Sequence, residues 1–240
     1  TLLPVKVKTN RVLVEKGFYR SSDNTIIWDK SSESNFASVN PRDQGGVSFT
    51  FSTIPILDLK GLPIKNPEMS IDISIKGKRI SESKIPEEIT SAVKTVVKVA
   101  SDLNLTSRLL FYSGPFVNTG TLPPKIDTPV SYTATWSITN SSNTVSGIKV
   151  SASLPSYVSW LGFVNPSGEK VPFDSVDKII TWDVGAVMPN VGIATSPREV
   201  SFQVSFLPSV SQIGSTPVIV GESTIEGYDT FSGIQISSIK

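Results

Sequence analysis

From Val200 to Phe206 the chain reads Val200-Ser201-Phe202-Gln203-Val204-Ser205-Phe206, apolar and polar residues in alternation. A period of two puts the four apolar side chains on one face of an extended strand; a helix scatters them around its axis. Ile179-Ile180-Thr181-Trp182-Asp183 and a connection through Gly185, Pro189 and Gly192 lead into this strand. The same succession occurs earlier, as Ile26-Ile27-Trp28-Asp29, then Gly45-Gly46, then Val47-Ser48-Phe49-Thr50-Phe51-Ser52. Trp28 and Trp182 are 154 positions apart, Val47 and Val200 are 153, and Pro67/Pro217 and Gly77/Gly227 are both 150. An offset that drifts this slowly marks a unit used twice.

The reading is therefore all-β: two tandem immunoglobulin-like β-sandwiches, the first incomplete at its N-terminal side. A chain of 240 residues accommodates two such units. The second copy is expected over 122–240, with strands at 130–138, 148–154, 158–163, 179–183, 200–206, 218–220, 223–225 and 234–236. The first is expected over 1–113, with strands at 5–7, 12–14, 26–28, 47–52, 69–75 and 96–111. It has no counterpart of 122–153, and 78–92 is an insertion. Pro86 followed by Glu87 and Glu88 suits a first helical turn, so one short helical turn is expected near 84–91. Gly114, Pro115 and Gly120 mark 114–121 as a stiff linker.

Composition removes whole classes of chemistry. The sequence has neither histidine nor cysteine. Ser-His-Asp and Cys-His catalysis, thiolate zinc sites and histidine-ligated metals are excluded with them. With 22 basic and 21 acidic residues spread evenly, no basic stripe points to nucleic acid or an anionic membrane. No apolar run approaches the ~18–20 residues needed to cross a bilayer, so membrane attachment is expected only through an anchor outside this sequence. The 37 serines and 20 threonines suit the solvent side of strands on an extracellular surface.

Pro129-Val130-Ser131-Tyr132-Thr133-Ala134-Thr135-Trp136, the turn Asn140 to Asn143, the strand ending Leu154-Pro155, and Gly227-Tyr228-Asp229-Thr230-Phe231 resemble immunoglobulin-like repeats of large bacterial surface proteins. The resemblance implies a sandwich fold and a cell-surface location. It carries across no catalytic residue, cofactor or metal.

Side-chain groupings are read as structural. Glu87-Glu88, Asp174 with Asp177, and Asp229 form no acid pair of defined separation. The four tryptophans are expected in sandwich cores, although Tyr157, Trp160 and Phe163 would suit a sugar ring if exposed. Asn104-Leu105-Thr106 and Asn140-Ser141-Ser142 match the glycosylation pattern. Lys149 is a conceivable donor for an isopeptide bond. The function expected is a non-enzymatic stalk, spacer or adhesive segment at the cell surface, elongated in solution, its partner a protein or glycan. A pilus or surface-layer subunit assembling by strand complementation is the first alternative, since an incomplete first unit exposes a sheet edge for self-association. A carbohydrate-binding module is the second.

Overall fold

A computed structural model describes residues 9–53, 57–80 and 86–240. The chain is all-β and divides into two compact units, Thr1–Asp58 and Leu59–Lys240. The strand expected at 5–7 lies outside the described residues.

In the first unit, β1 (Thr9–Val14), β2 (Phe18–Arg20), β3 (Thr25–Ile27) and β4 (Phe49–Thr53) form two small sheets, β1 with β4 and β2 with β3. Ser21 to Asn24 is the β2–β3 turn, and Asn24 takes the left-handed φ of 55° that asparagine tolerates. None of the side chains described over 11–52 is buried. Trp28 is half-buried beside Phe49, ring centroids 6.0 Å apart, and its indole N–H donates to the Glu15 carbonyl at 2.9 Å. The expectation that this tryptophan fills a sandwich core is corrected for the described residues: two-stranded sheets have no second layer to close over it.

The second unit opens with a long hairpin, β5 (Glu68–Ile80) and β6 (Pro86–Lys98), paired antiparallel over its full length. At ~3.4 Å per residue each arm is about 40 Å long. The helical turn expected near 84–91 is corrected: Pro86 to Ser91 belong to β6. The β-branched run that follows and the strand partners offered by β5 outweigh the helix-start signal.

The remaining strands are β7 (Leu103–Leu110), β8 (Val130–Asn140), β9 (Val145–Ser153), β10 (Val158–Asn165), β11 (Phe173–Asp174), β12 (Ile179–Val187), β13 (Arg198–Phe206), β14 (Thr224–Asp229) and β15 (Ile234–Ile239). They build a sandwich of two antiparallel sheets, ordered β10-β13-β8-β7 and β11-β12-β9-β14-β15. The alternation read from the sequence fills its core. Trp136, Ile138, Phe202 and Val204 come from one sheet, and Val150, Ile180, Trp182 and Ile225 from the other, all with no exposed surface. Trp136 meets Phe202 edge to face at 4.8 Å, a favoured aromatic geometry. The strand expected at 218–220 is instead irregular chain.

The expected boundary between copies is also corrected. Leu103 and Leu105 of β7 are buried in the second sandwich, and β7 pairs along β8. The stretch 114–121 is not a spacer between sandwiches. It folds back on the outer face of β8 and β13. Thr119 N–H donates to the Ser131 hydroxyl at 2.7 Å, and Ser131 N–H donates to the Thr119 carbonyl at 2.9 Å. The Asn118 amide reaches the Phe111 carbonyl at 2.9 Å and Thr133 at 3.1 Å, and Gln203 donates to Asn118 at 2.9 Å. The hydroxyls of Ser131, Thr133 and Thr135, expected to face solvent, belong to residues that are buried.

Candidate functional site

Two features of the second unit stand apart from ordinary core packing: a buried polar junction at one pole of the sandwich, and the ribbon that grows from it.

The junction gathers Ser101, Asn140, Asn143 and Asp229, each buried. Ser101 lies on the short connection between β6 and β7. Asn140 ends β8, Asn143 opens the turn into β9, and Asp229 ends β14. The Ser101 hydroxyl donates to Asn140 Oδ1 at 2.6 Å and receives the N–H groups of Ser142 (2.9 Å) and Asn143 (3.1 Å). Asn140 Nδ2 donates to the carbonyls of Asn143 (2.7 Å), Met188 (3.0 Å) and Val187 (3.2 Å). Asp229 accepts from Ser101 N–H and Asn143 Nδ2, both at 2.7 Å, and from the N–H groups of Phe231 and Ser232, both at 2.9 Å. Burial is the largest single influence on the Asp229 carboxyl and pushes it up. The donors from Ser232, Asn143, Ser101 and Phe231 together outweigh it and hold the carboxyl below the usual carboxylate range.

The same pole grips the base of the ribbon. Asn143 Nδ2 also donates to the Val99 carbonyl at 2.8 Å, Val99 N–H to Pro67 at 2.9 Å, and Asn66 N–H to Ser142 at 3.3 Å. Pro63 and Pro67 are buried at this base. Both roots of the ribbon are therefore hydrogen-bonded to the sandwich, and Val99 to Asp102 forms the joint between them.

Beyond its base the ribbon is two-faced. Met69, Ile71, Ile73, Ile75 and Gly77 lie opposite Val97, Thr95, Val93, Ser91 and Ile89 on one face; Ser70, Asp72, Ser74, Lys76 and Lys78 lie opposite Val96, Lys94, Ala92, Thr90 and Glu88 on the other, which is mainly polar. Ile73, Ile75, Ile89 and Val93 are 46 to 68% exposed. Apolar side chains aligned this way on a solvent-facing ribbon are a mark of an interaction surface.

The groupings singled out in the sequence are dispersed. Glu87 and Glu88 are exposed on β6, facing Arg79 and Lys78 across the ribbon. Asp174 accepts the N–H groups of Val176 and Asp177 and so shapes a turn. Trp160 packs against Phe173 and Phe202, and Tyr157 against Phe206 with its hydroxyl on the Val218 carbonyl at 3.0 Å, so neither ring forms an open platform. Lys149 is exposed on β9. Asn104 is exposed, whereas Asn140 is fully buried with its amide engaged, which removes it as a glycan acceptor. Among the described residues no three acidic, histidine or cysteine side chains gather as a metal site would require.

No family model and no curated protein matches this chain. Solved structures similar to it include the major pilin subunit BcpA of Bacillus cereus, at 10% identity over 82% of this chain and 48% of that one, TM-score 0.32. The full-length major pilin SpaD of Corynebacterium diphtheriae is 8% identical over 65% and 46%, TM-score 0.36. A putative membrane-anchored protein of Corynebacterium diphtheriae is 11% identical over 81% and 47%, TM-score 0.32. The chain spans less than half the length of each.

Proposed function

We propose that this chain is a segment of a bacterial surface protein whose task is mechanical: a stiff, non-enzymatic spacer that presents a neighbouring module or contact surface outside the cell. The hydrogen-bonded joint at Ser101, Asn140, Asn143 and Asp229 carries the reading. Of the polar atoms on these four side chains only Asn143 Oδ1 has no partner. A buried network matched to that degree resists bending, because any hinge motion strands polar groups away from water. Ser, Thr and the even charge balance suit the same location. The partner is a protein or glycan at the surface. Assembly into a pilus or layer is the second reading, favoured by the exposed Ile73, Ile75, Ile89 and Val93 of the ribbon.

Spin labels test the joint. The chain has no cysteine, so thiols introduced at exposed Thr90 on the ribbon and exposed Ser156 on the sandwich are its only labelling sites. Double electron–electron resonance is expected to give one narrow distance distribution, broadened by the Ser101→Ala/Asn143→Ala double variant. A broad distribution in the unmodified joint overturns the spacer reading.

A further inference from the structure

The ribbon β5–β6 and the hairpin β14–β15 occupy corresponding places in the repeat, with Pro67 matching Pro217 and Gly77 matching Gly227. Their backbone phases agree as well. Ser223 and Lys240 exchange both backbone hydrogen bonds, at 2.7 and 2.9 Å. Alternation in an antiparallel ladder then turns the N–H and C=O groups of Thr224, Glu226 and Tyr228 away from β15. There they meet β9, opposite Ser151, Lys149 and Ser146. In the ribbon, Val99 N–H donates to the Pro67 carbonyl. The same rule turns Ser74, Lys76 and Lys78, the counterparts of Thr224, Glu226 and Tyr228, away from β6. Among the described residues β5 pairs with β6 alone, so these groups line an edge with no neighbouring strand.

The two glycines say what kind of strand belongs there. A Cβ on Gly227 would lie 2.7 Å from Val145 Cγ1 and 2.9 Å from Ile148 Cγ1, so glycine is required where the β9 side chains close over the hairpin. A Cβ on Gly77 would meet nothing within 4 Å, and its φ imposes no need for glycine. The repeat keeps the small residue while the aliphatic side chains that need it are missing. Charge adds the second condition. Where Glu226 faces Lys149 across β14 and β9, the ribbon presents Lys76, with Lys78 and Arg79 beside it.

We infer that the outer edge of β5 receives an antiparallel strand from another polypeptide, an acidic side chain opposite Lys76 and branched aliphatic side chains over Gly77. The incoming strand is an extended segment alternating branched aliphatic with acidic or hydroxyl residues. It is not β9 of a second copy, which lies between β12 and β14. Among the described residues the outer edge of β6 has no paired strand, and neither has that of β15. Backbone bonds supply affinity, and Gly77 and Lys76 fix the register. The inference rests on the surface-protein reading above, with a different protein as the partner, but its test has a separate readout.

The probe is a nine-residue peptide with the sequence of Val145–Ser153 carrying Lys149→Glu, added to the full chain and followed by amide hydrogen exchange. Slowed exchange is expected at Ser74, Lys76 and Lys78. Gly77→Val should weaken binding at least tenfold without moving the melting temperature. Lys76→Glu should reverse the preference, favouring the peptide that keeps Lys149. No protection at these amides with millimolar peptide, equal protection by a scrambled peptide, or binding indifferent to both variants overturns the proposal. Protection that appears without peptide and grows with protein concentration assigns the edge to a second copy and also overturns it. None of these failures alters the spin-label distances that test the joint.

Discussion

The side-chain amide of Asn143, in the turn between β8 and β9, donates at 2.7 Å to the buried carboxylate of Asp229, at the end of β14. The two residues are 86 positions apart. The same amide holds the Val99 carbonyl at the root of the ribbon. One side chain thus ties two turns of the sandwich to the strand leaving it.

Asp229→Asn is expected to destabilise the second unit by about 3 kcal/mol at pH 7, since an amide cannot accept four donors as the carboxylate does. The pH dependence has a definite sign. The folded carboxyl lies below its unfolded value of ~3.9, so its contribution is complete above about pH 5. It is lost as pH falls through 4 toward the folded value. Urea midpoints between pH 3 and 7 should fall with acid in the natural chain and stay flatter in the variant. Parallel curves would disprove the assignment.

Asn140 separates the effect of a lost bond from that of a wrong charge. Asn140→Ala removes the amide that serves three carbonyls and should cost about 2 kcal/mol. Asn140→Asp leaves a carboxylate facing the oxygens of Asn143, Val187 and Met188. It should cost a further 1 kcal/mol or about that, despite its closer shape. Thermal denaturation of the two variants decides it, and an aspartate no worse than alanine refutes this orientation of the Asn140 amide.

The paired glycines make a comparison internal to the chain. Gly227→Ala places a methyl against Val145 and Ile148 and should destabilise by about 1–3 kcal/mol. Gly77→Ala meets open space and should change stability by less than about 0.5 kcal/mol. Equal losses would mean that the two hairpins are covered alike.

The tryptophans make another. Trp182 is fully buried and donates to Glu169 at 2.8 Å, a carboxylate that also pairs with Arg198 at 2.8 Å. Trp182→Phe should cost about 2 kcal/mol. Half-buried Trp28 should tolerate phenylalanine at under about 1 kcal/mol. Denaturant unfolding followed by circular dichroism reads both. A larger loss from Trp28 would give it the core role expected from the repeat.

Along the long alternating runs, strand existence and the inward face were legible because both depend on a two-residue period, which needs only neighbours in the chain. Val200 to Phe206 and Val130 to Ile138 lie in strands where they were read, with the expected side chains inward. Asn140 to Asn143 was legible as a turn. Its second role was not, because the partners Ser101, Val187 and Asp229 are far along the chain.

What the sequence by itself determined is the all-β class, the inward faces of its long alternating strands, and the chemistry excluded by missing histidine and cysteine. The tertiary structure alone decided which sheet each strand joins. Leu103-Asn104-Leu105 alternates equally well for either copy, and its hydrogen bonds to β8 place it in the second. It also decided that Gly114 to Thr121 closes over β8, and that among the described residues β5 pairs with β6 alone. Backbone hydrogen bonds between distant segments are nearly identical for any pair of strands, so sequence marks them weakly. Only packing of the assembled chain selects among them.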